Sequence, residues 1–151
     1  MVNIKRMTNK KLGELLVEEK LLSEEQVQEA LKEQAKAGGL LGEVLVKLGY
    51  LTEYDIAKCI SLQFNLPFLH VSCYQLQHDL VHSLPLDMQY KHQFVVLDRI
   101  GDVITIAIGG LLNENVFNDI TTLTGTELQV FVSTNSDIMQ ALDEYKDREA
   151  V

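Results

Sequence analysis

The chain has 151 residues, 46% hydrophobic and 23% charged, a composition that supports a packed core and argues against a disordered chain. Its 22 acidic and 13 basic residues leave a net charge of −9, which disfavours a general grip on nucleic-acid or anionic-lipid phosphates. No run approaches the roughly 18 apolar residues of a membrane helix, and the N-terminus lacks the apolar core of a signal peptide, so a soluble intracellular protein meeting basic protein surfaces is expected.

The first eleven residues carry Lys5, Arg6, Lys10 and Lys11 and no acid, a local positive patch on a negative protein. Short helices are expected around residues 11–19 and 41–48. Each precedes a longer one. Ser23 and Gln26 form a capping box, and Val27, Ala30, Leu31 and Gln34 follow at helical spacing until Gly38-Gly39 stops the helix. Thr52 opens the next helix, with Ile56, Cys59, Ile60 and Gln63 on its inner face.

These four helices are two copies of one unit. Residues 11–34, KLGELLVEEKLLSEEQVQEALKEQ, align without gaps to residues 40–63, LLGEVLVKLGYLTEYDIAKCISLQ. A duplicated helix-turn-helix cannot bury its apolar face alone, so the copies are expected to pack as a pseudo-symmetric four-helix unit.

After Pro67 the composition shifts. A short helix is expected near residues 76–84. The β-branched runs 95–97 and 103–108, joined by a short polar connection at 99–102, read as a hairpin. A helix over 116–123, a third strand over 127–132 and a last helix over 138–145 capped by 135–137 complete a ββαβα order. The expected fold is α+β: a four-helix unit from two tandem helix-turn-helix repeats over residues 1–66, then a small α/β sandwich with a three-stranded sheet over 67–151.

Few residues suggest chemistry. Cys59 and Cys73 form no CxxC and read as two reduced, buried thiols. His78 and His82, with Asp79, could share a helix face, but no further metal ligand is evident. Gly109-Gly110 reads as a strand-ending turn more readily than as a phosphate cradle. The phosphate loop GxxxxGK[ST] is absent, as are GxSxG and HExxH, so no enzyme is expected.

Each copy resembles the motif RLGxxΦΦxxGΦΦxxxxΦxxxΦxxQ, with Φ apolar, and two copies in tandem resemble the MshEN domain family. That family lies at the N-terminus of type II secretion and type IV pilus assembly ATPases. The resemblance implies a regulatory docking domain that links an ATPase core to the cytoplasmic domain of an inner-membrane platform protein, at the cytoplasmic side of the bacterial inner membrane. It implies no DNA or RNA partner and no membrane insertion. It also implies cyclic-di-GMP as ligand, held by Lys11, Leu12, Gly13 and Gln34 of the first copy and Leu41, Gly42 and Gln63 of the second. Apolar walls would come from Leu16, Leu22, Val27, Leu31, Leu45, Leu51, Ile56 and Ile60. The motif's leading Arg is Lys11 in copy one and Leu40 in copy two, and its tenth-position Gly is Lys20 in copy one and Gly49 in copy two. Two readings stay open: a receptor whose docking surface responds to the nucleotide, and a docking domain without a small ligand.

Overall fold

Each repeat folds as a short helix followed by a long one. Copy one supplies α1 (Leu12–Glu18) and α2 (Glu24–Ala37), and copy two supplies α3 (Leu41–Lys47) and α4 (Glu53–Phe64). The computed structural model describes residues 11–74, 76 and 78–149; the patch formed by Lys5, Arg6 and Lys10 lies outside them. Both long helices open with capping boxes, the expected one of Ser23 with Gln26 and a second of Thr52 with Asp55. Both short helices end alike. Lys20 N–H bonds Val17 O and Leu21 N–H bonds Leu16 O; Gly49 N–H bonds Val46 O and Tyr50 N–H bonds Leu45 O. These paired bonds define a Schellman motif, whose first residue past the cap must be left-handed. Lys20 (φ 60°) and Gly49 (φ 80°) occupy that position. The glycine of the repeat is therefore a helix stop, and Lys20 fills it against its preference.

The second half begins as an extended segment. Pro67 O accepts from Val132 N–H and Leu69 N–H donates to Val132 O, each at 2.9 Å, so residues 67–69 line the outer edge of the sheet. A 3₁₀ turn (Val71–Cys73) and the four-residue α5 (His78–Val81) follow, shorter than the single helix expected there. Then comes α6 (Leu86–His92), which the sequence pattern had not singled out. Its signals are Pro85 before the first turn, Asp87 within it and Lys91-His92 in the last turn.

Strand β1 (Phe94–Ile100) pairs antiparallel with β2 (Val103–Ile108), and β2 pairs parallel with β3 (Glu127–Val132) through α7 (Glu114–Thr124). Strand β1 runs further than the expected 95–97 while β2 keeps its expected bounds, so the hairpin connection is only Gly101-Asp102, with Gly101 at φ 59°. The last helix, α8 (Asn135–Glu149), starts three residues early: Thr134 Oγ1 accepts from Asp137 N–H at 3.3 Å, so residues 135–137 form its first turn instead of its cap. The ββαβα order and the three-stranded sheet hold.

One apolar core runs through both halves. Leu15, Leu16, Leu45, Ile56 and Ile60 of the repeats join Phe94, Val96, Ile104, Ile106 and Ile108 on one sheet face, with Phe117 and Ile120 of α7. Val95, Leu97 and Ala107 point the other way, onto Ile138, Leu142 and Tyr145 of α8. Buried Gln89 ties α6 to the sheet, donating to Leu84 O at 3.3 Å and accepting from Val96 N–H at 3.2 Å. Cys59 is buried as expected, and burial, with Glu19 nearby, pushes its thiol pKa up. Cys73 is exposed, against expectation, because its 3₁₀ turn buries only Val71.

Candidate functional site

The short helices of the two copies meet at their starts. A β-carbon added to Gly42 would lie 3.5 Å from Leu12 Cδ2, and one added to Gly13 would lie 3.5 Å from Leu41 Cδ2. Each Leu-Gly pair thus covers the other, as a pseudo-twofold axis between the copies requires. The two glycines are not equally placed. Gly13 is buried and would meet Val27 Cγ1 at 3.0 Å, whereas Gly42 is only half-buried.

Beside this contact, where copy two faces the α/β half, a cleft of about 310 Å³ opens. Leu40, Leu41, Gly42, Glu43, Val46, Glu53 and Ile56 of copy two form one wall, and Lys11 and Leu12 reach it from copy one. The opposite wall is Gln93, residues 109–113 and Asn135. Its loops are fixed by local bonds. Gln93 ends α6 in the left-handed region, and its carbonyl accepts from Gly109 N–H at 3.1 Å. Asn113 Oδ1 caps α7 by accepting from Val116 N–H at 3.0 Å. A β-carbon on Gly109 would sit 3.1 Å from Asn135 Cα, a tight contact that glycine avoids where the end of β2 lies against the start of α8.

Two carboxylates of copy two hold the walls together. Gln93 Nε2 donates to Glu43 Oε1. Glu53 Oε1 accepts from both Ser136 N–H (3.1 Å) and Ser136 Oγ–H (2.7 Å), capping the first turn of α8 from another element. Among the described lining residues Lys11 is the sole cation. The remainder of the lining is largely apolar, which suits a planar aromatic ligand, with Lys11 available to an anion. Asn135 Oδ1 is buried without a hydrogen-bond partner.

Of the residues singled out by resemblance, Lys11, Leu12, Leu41, Gly42 and Ile56 line the cleft. Leu16, Leu22, Leu45 and Ile60 are buried in the core behind it. Gly13 packs on Val27, and Val27, Leu51 and Gln63 are half-buried away from the lining. Gln34 donates its side-chain amide to Gly39 O at 3.0 Å, fastening the link between the copies. Leu31 is 40% exposed and lies outside the cleft. Gly109-Gly110 ends β2, as the strand-ending reading expects, and lines the cleft. Glu43, Glu53, Gln93, Asn113 and Asn135 were not anticipated. Among the described residues no group of His, Cys, Asp or Glu could hold a metal; His82 is exposed, and the side chain of His78 is outside the description.

The half of the chain that carries the ββαβα sheet matches a known family. The MshEN domain model matches residues 64–151, and the chain belongs to the MshEN domain family. Its relatives include the type IV pilus assembly ATPase PilB of Myxococcus xanthus, 30% identical over 135 residues, and PilB of Thermus thermophilus, 29% identical over 136 residues. The alignments cover 89% of this chain but only 24% and 15% of those ATPases. A solved structure of MshE with cdg is 28% identical with a TM-score of 0.68, covering 90% of this chain and 99% of that one. The N-terminal domain of XpsE has the same TM-score at 17% identity, covers 90% of this chain and 94% of that one, and shows the fold.

Proposed function

We propose that this chain is a regulatory docking module of a type IV pilus or type II secretion ATPase, and that cyclic-di-GMP binds in the cleft beside the paired Leu-Gly helix starts. The observation that carries this reading is the reciprocal contact of Leu12 and Leu41 at the cleft. The cyclic-di-GMP (cdg) complex of the related MshE supports the identity of the ligand. Leu12, Leu41, Val46 and Ile56 offer apolar surface for a guanine face. Lys11 supplies the charge for a phosphate. Gly42 leaves backbone room for a close approach.

The module acts by binding, with catalysis left to the ATPase core. Because the same cleft joins the repeats to the α/β half, a ligand seated there would bias how the two are held and so what they present to a partner. That partner, on this reading, is the cytoplasmic domain of an inner-membrane platform protein, which places the module at the cytoplasmic side of that membrane. A second reading, docking without a nucleotide, is favoured by one observation: Leu40 stands where the motif has its second Arg, leaving Lys11 alone against the lining carboxylates Glu43 and Glu53. Calorimetric titration with cyclic-di-GMP separates the two. Saturable binding that Lys11→Ala weakens supports the receptor; no heat and no thermal shift at high ligand leaves the docking domain.

A further inference from the structure

The duplication provides an internal control for surface composition. On α2 the outward ridge of copy one is Glu25, Glu29 and Glu33, four residues apart. Glu25 and Glu29 are exposed and Glu33 is half-buried, and Glu29 also accepts from the Tyr50 hydroxyl. The equivalent ridge of α4, at the same three repeat positions, is Tyr54, Lys58 and Leu62. It is at least as open: Tyr54 is 53% and Leu62 70% exposed, and Lys58 is exposed. The two ridges share geometry and differ wholly in chemistry. An acidic chain has placed two large apolar groups and a cation where its own repeat places three acids.

Lys58 has no ion-pair partner among the described residues, in a chain of net charge −9. We propose that the Tyr54–Lys58–Leu62 ridge is a docking surface for an amphipathic helix of a partner protein, one that places an acidic side chain between apolar ones. The charge follows from Lys58, which an acid on the partner would complement across the interface. The helix follows from the ridge itself. Side chains spaced by four along a 12-residue helix form the row that packs into the groove of another helix. This deepens the docking half of the reading above and does not depend on the nucleotide, since none of the three residues lines the cleft.

The test is site-specific photo-crosslinking in the full-length ATPase in its host cell, with the photoreactive amino acid at position 62 and, as control, at position 33. The expected result is an adduct from position 62 only, mapping to an amphipathic helical segment of another protein. Lys58→Glu should reduce the adduct at least tenfold, and replacing the partner's acid by Lys should restore it in that background. Circular dichroism and cyclic-di-GMP titration of each variant report folding and the cleft separately, so loss of ridge docking is distinguishable from loss of nucleotide binding. Equal adducts from positions 33 and 62, an adduct with a second copy of this chain or with a non-helical segment, or an adduct indifferent to Lys58→Glu would each overturn the proposal.

Discussion

Leu12 and Leu41 each lie over the other repeat's glycine, both 3.5 Å from where a β-carbon would be. This reciprocal pair sets the distance between the helix starts and makes the two glycines an informative comparison. At Gly42 the nearest atoms to an added methyl are at 3.5 and 3.6 Å, ordinary contact, and alanine is the better helix former by about 1 kcal/mol. Gly42→Ala should leave stability unchanged or raise it by up to that amount, while narrowing the cleft and weakening cyclic-di-GMP. At Gly13 the methyl meets Val27 Cγ1 at 3.0 Å in a buried site, so Gly13→Ala should destabilise by about 1–3 kcal/mol through overpacking. Urea denaturation of both variants checks the contrast, and Val27→Ala should relieve the second but not alter the first.

Lys20 holds the left-handed position that Gly49 holds in the other copy. A non-glycine residue there costs about 1–2 kcal/mol. Lys20→Gly should therefore raise the urea midpoint by an amount equivalent to about 1 kcal/mol, and Gly49→Lys should lower it by a similar amount. Equal midpoints for all three proteins would show that the helix stops carry no strain.

Glu53 satisfies two donors at the start of α8, the Ser136 N–H and Oγ–H. Glu53→Ala should cost about 0.5–2 kcal/mol, as loss of a helix cap does, and hydrogen exchange should rise first in the opening turn of α8. Ser136→Ala removes only the hydroxyl bond and should cost less. Exchange rising uniformly, with no bias toward residues 135–138, would mean that this contact does not fasten the helix.

The two thiols should separate by reactivity. Cys73 is exposed; Cys59 is buried, and burial together with Glu19 raises its pKa, so less of it is thiolate near neutral pH. With Ellman's reagent one thiol should react promptly in native protein and the second only as the chain unfolds. Two fast thiols would contradict the packing of α4.

Much of this fold was legible because it is local. The capping boxes at Ser23 and Thr52 and the stop at Gly38 are set by residues within one turn of each other. The repeat further told which helices must pack. α6 was missed because its seven residues are too few to show a period, and the start of α8 because Thr134 caps it in place of Asn135. The cleft was half legible for the same reason. Its repeat wall, Leu41, Gly42 and Ile56, follows from the motif. Gln93, residues 109–113 and Asn135 come to it from distant stretches of chain, and only tertiary packing makes them neighbours. Gln34, singled out by resemblance, holds Gly39 O through its side-chain amide, a local bond that spacing alone does not reveal.

The most direct test of the central claim is a heteronuclear NMR titration of the chain with cyclic-di-GMP, following the amides of Gly42, Gly109 and Gly110 against that of Gly101 at the far hairpin. The three cleft amides should shift together and saturate on one curve, Gly101 should stay in place, and Lys11→Ala should move the curve to higher ligand. Unshifted cleft amides at saturating ligand, or shifts confined to residues away from both walls, would contradict it.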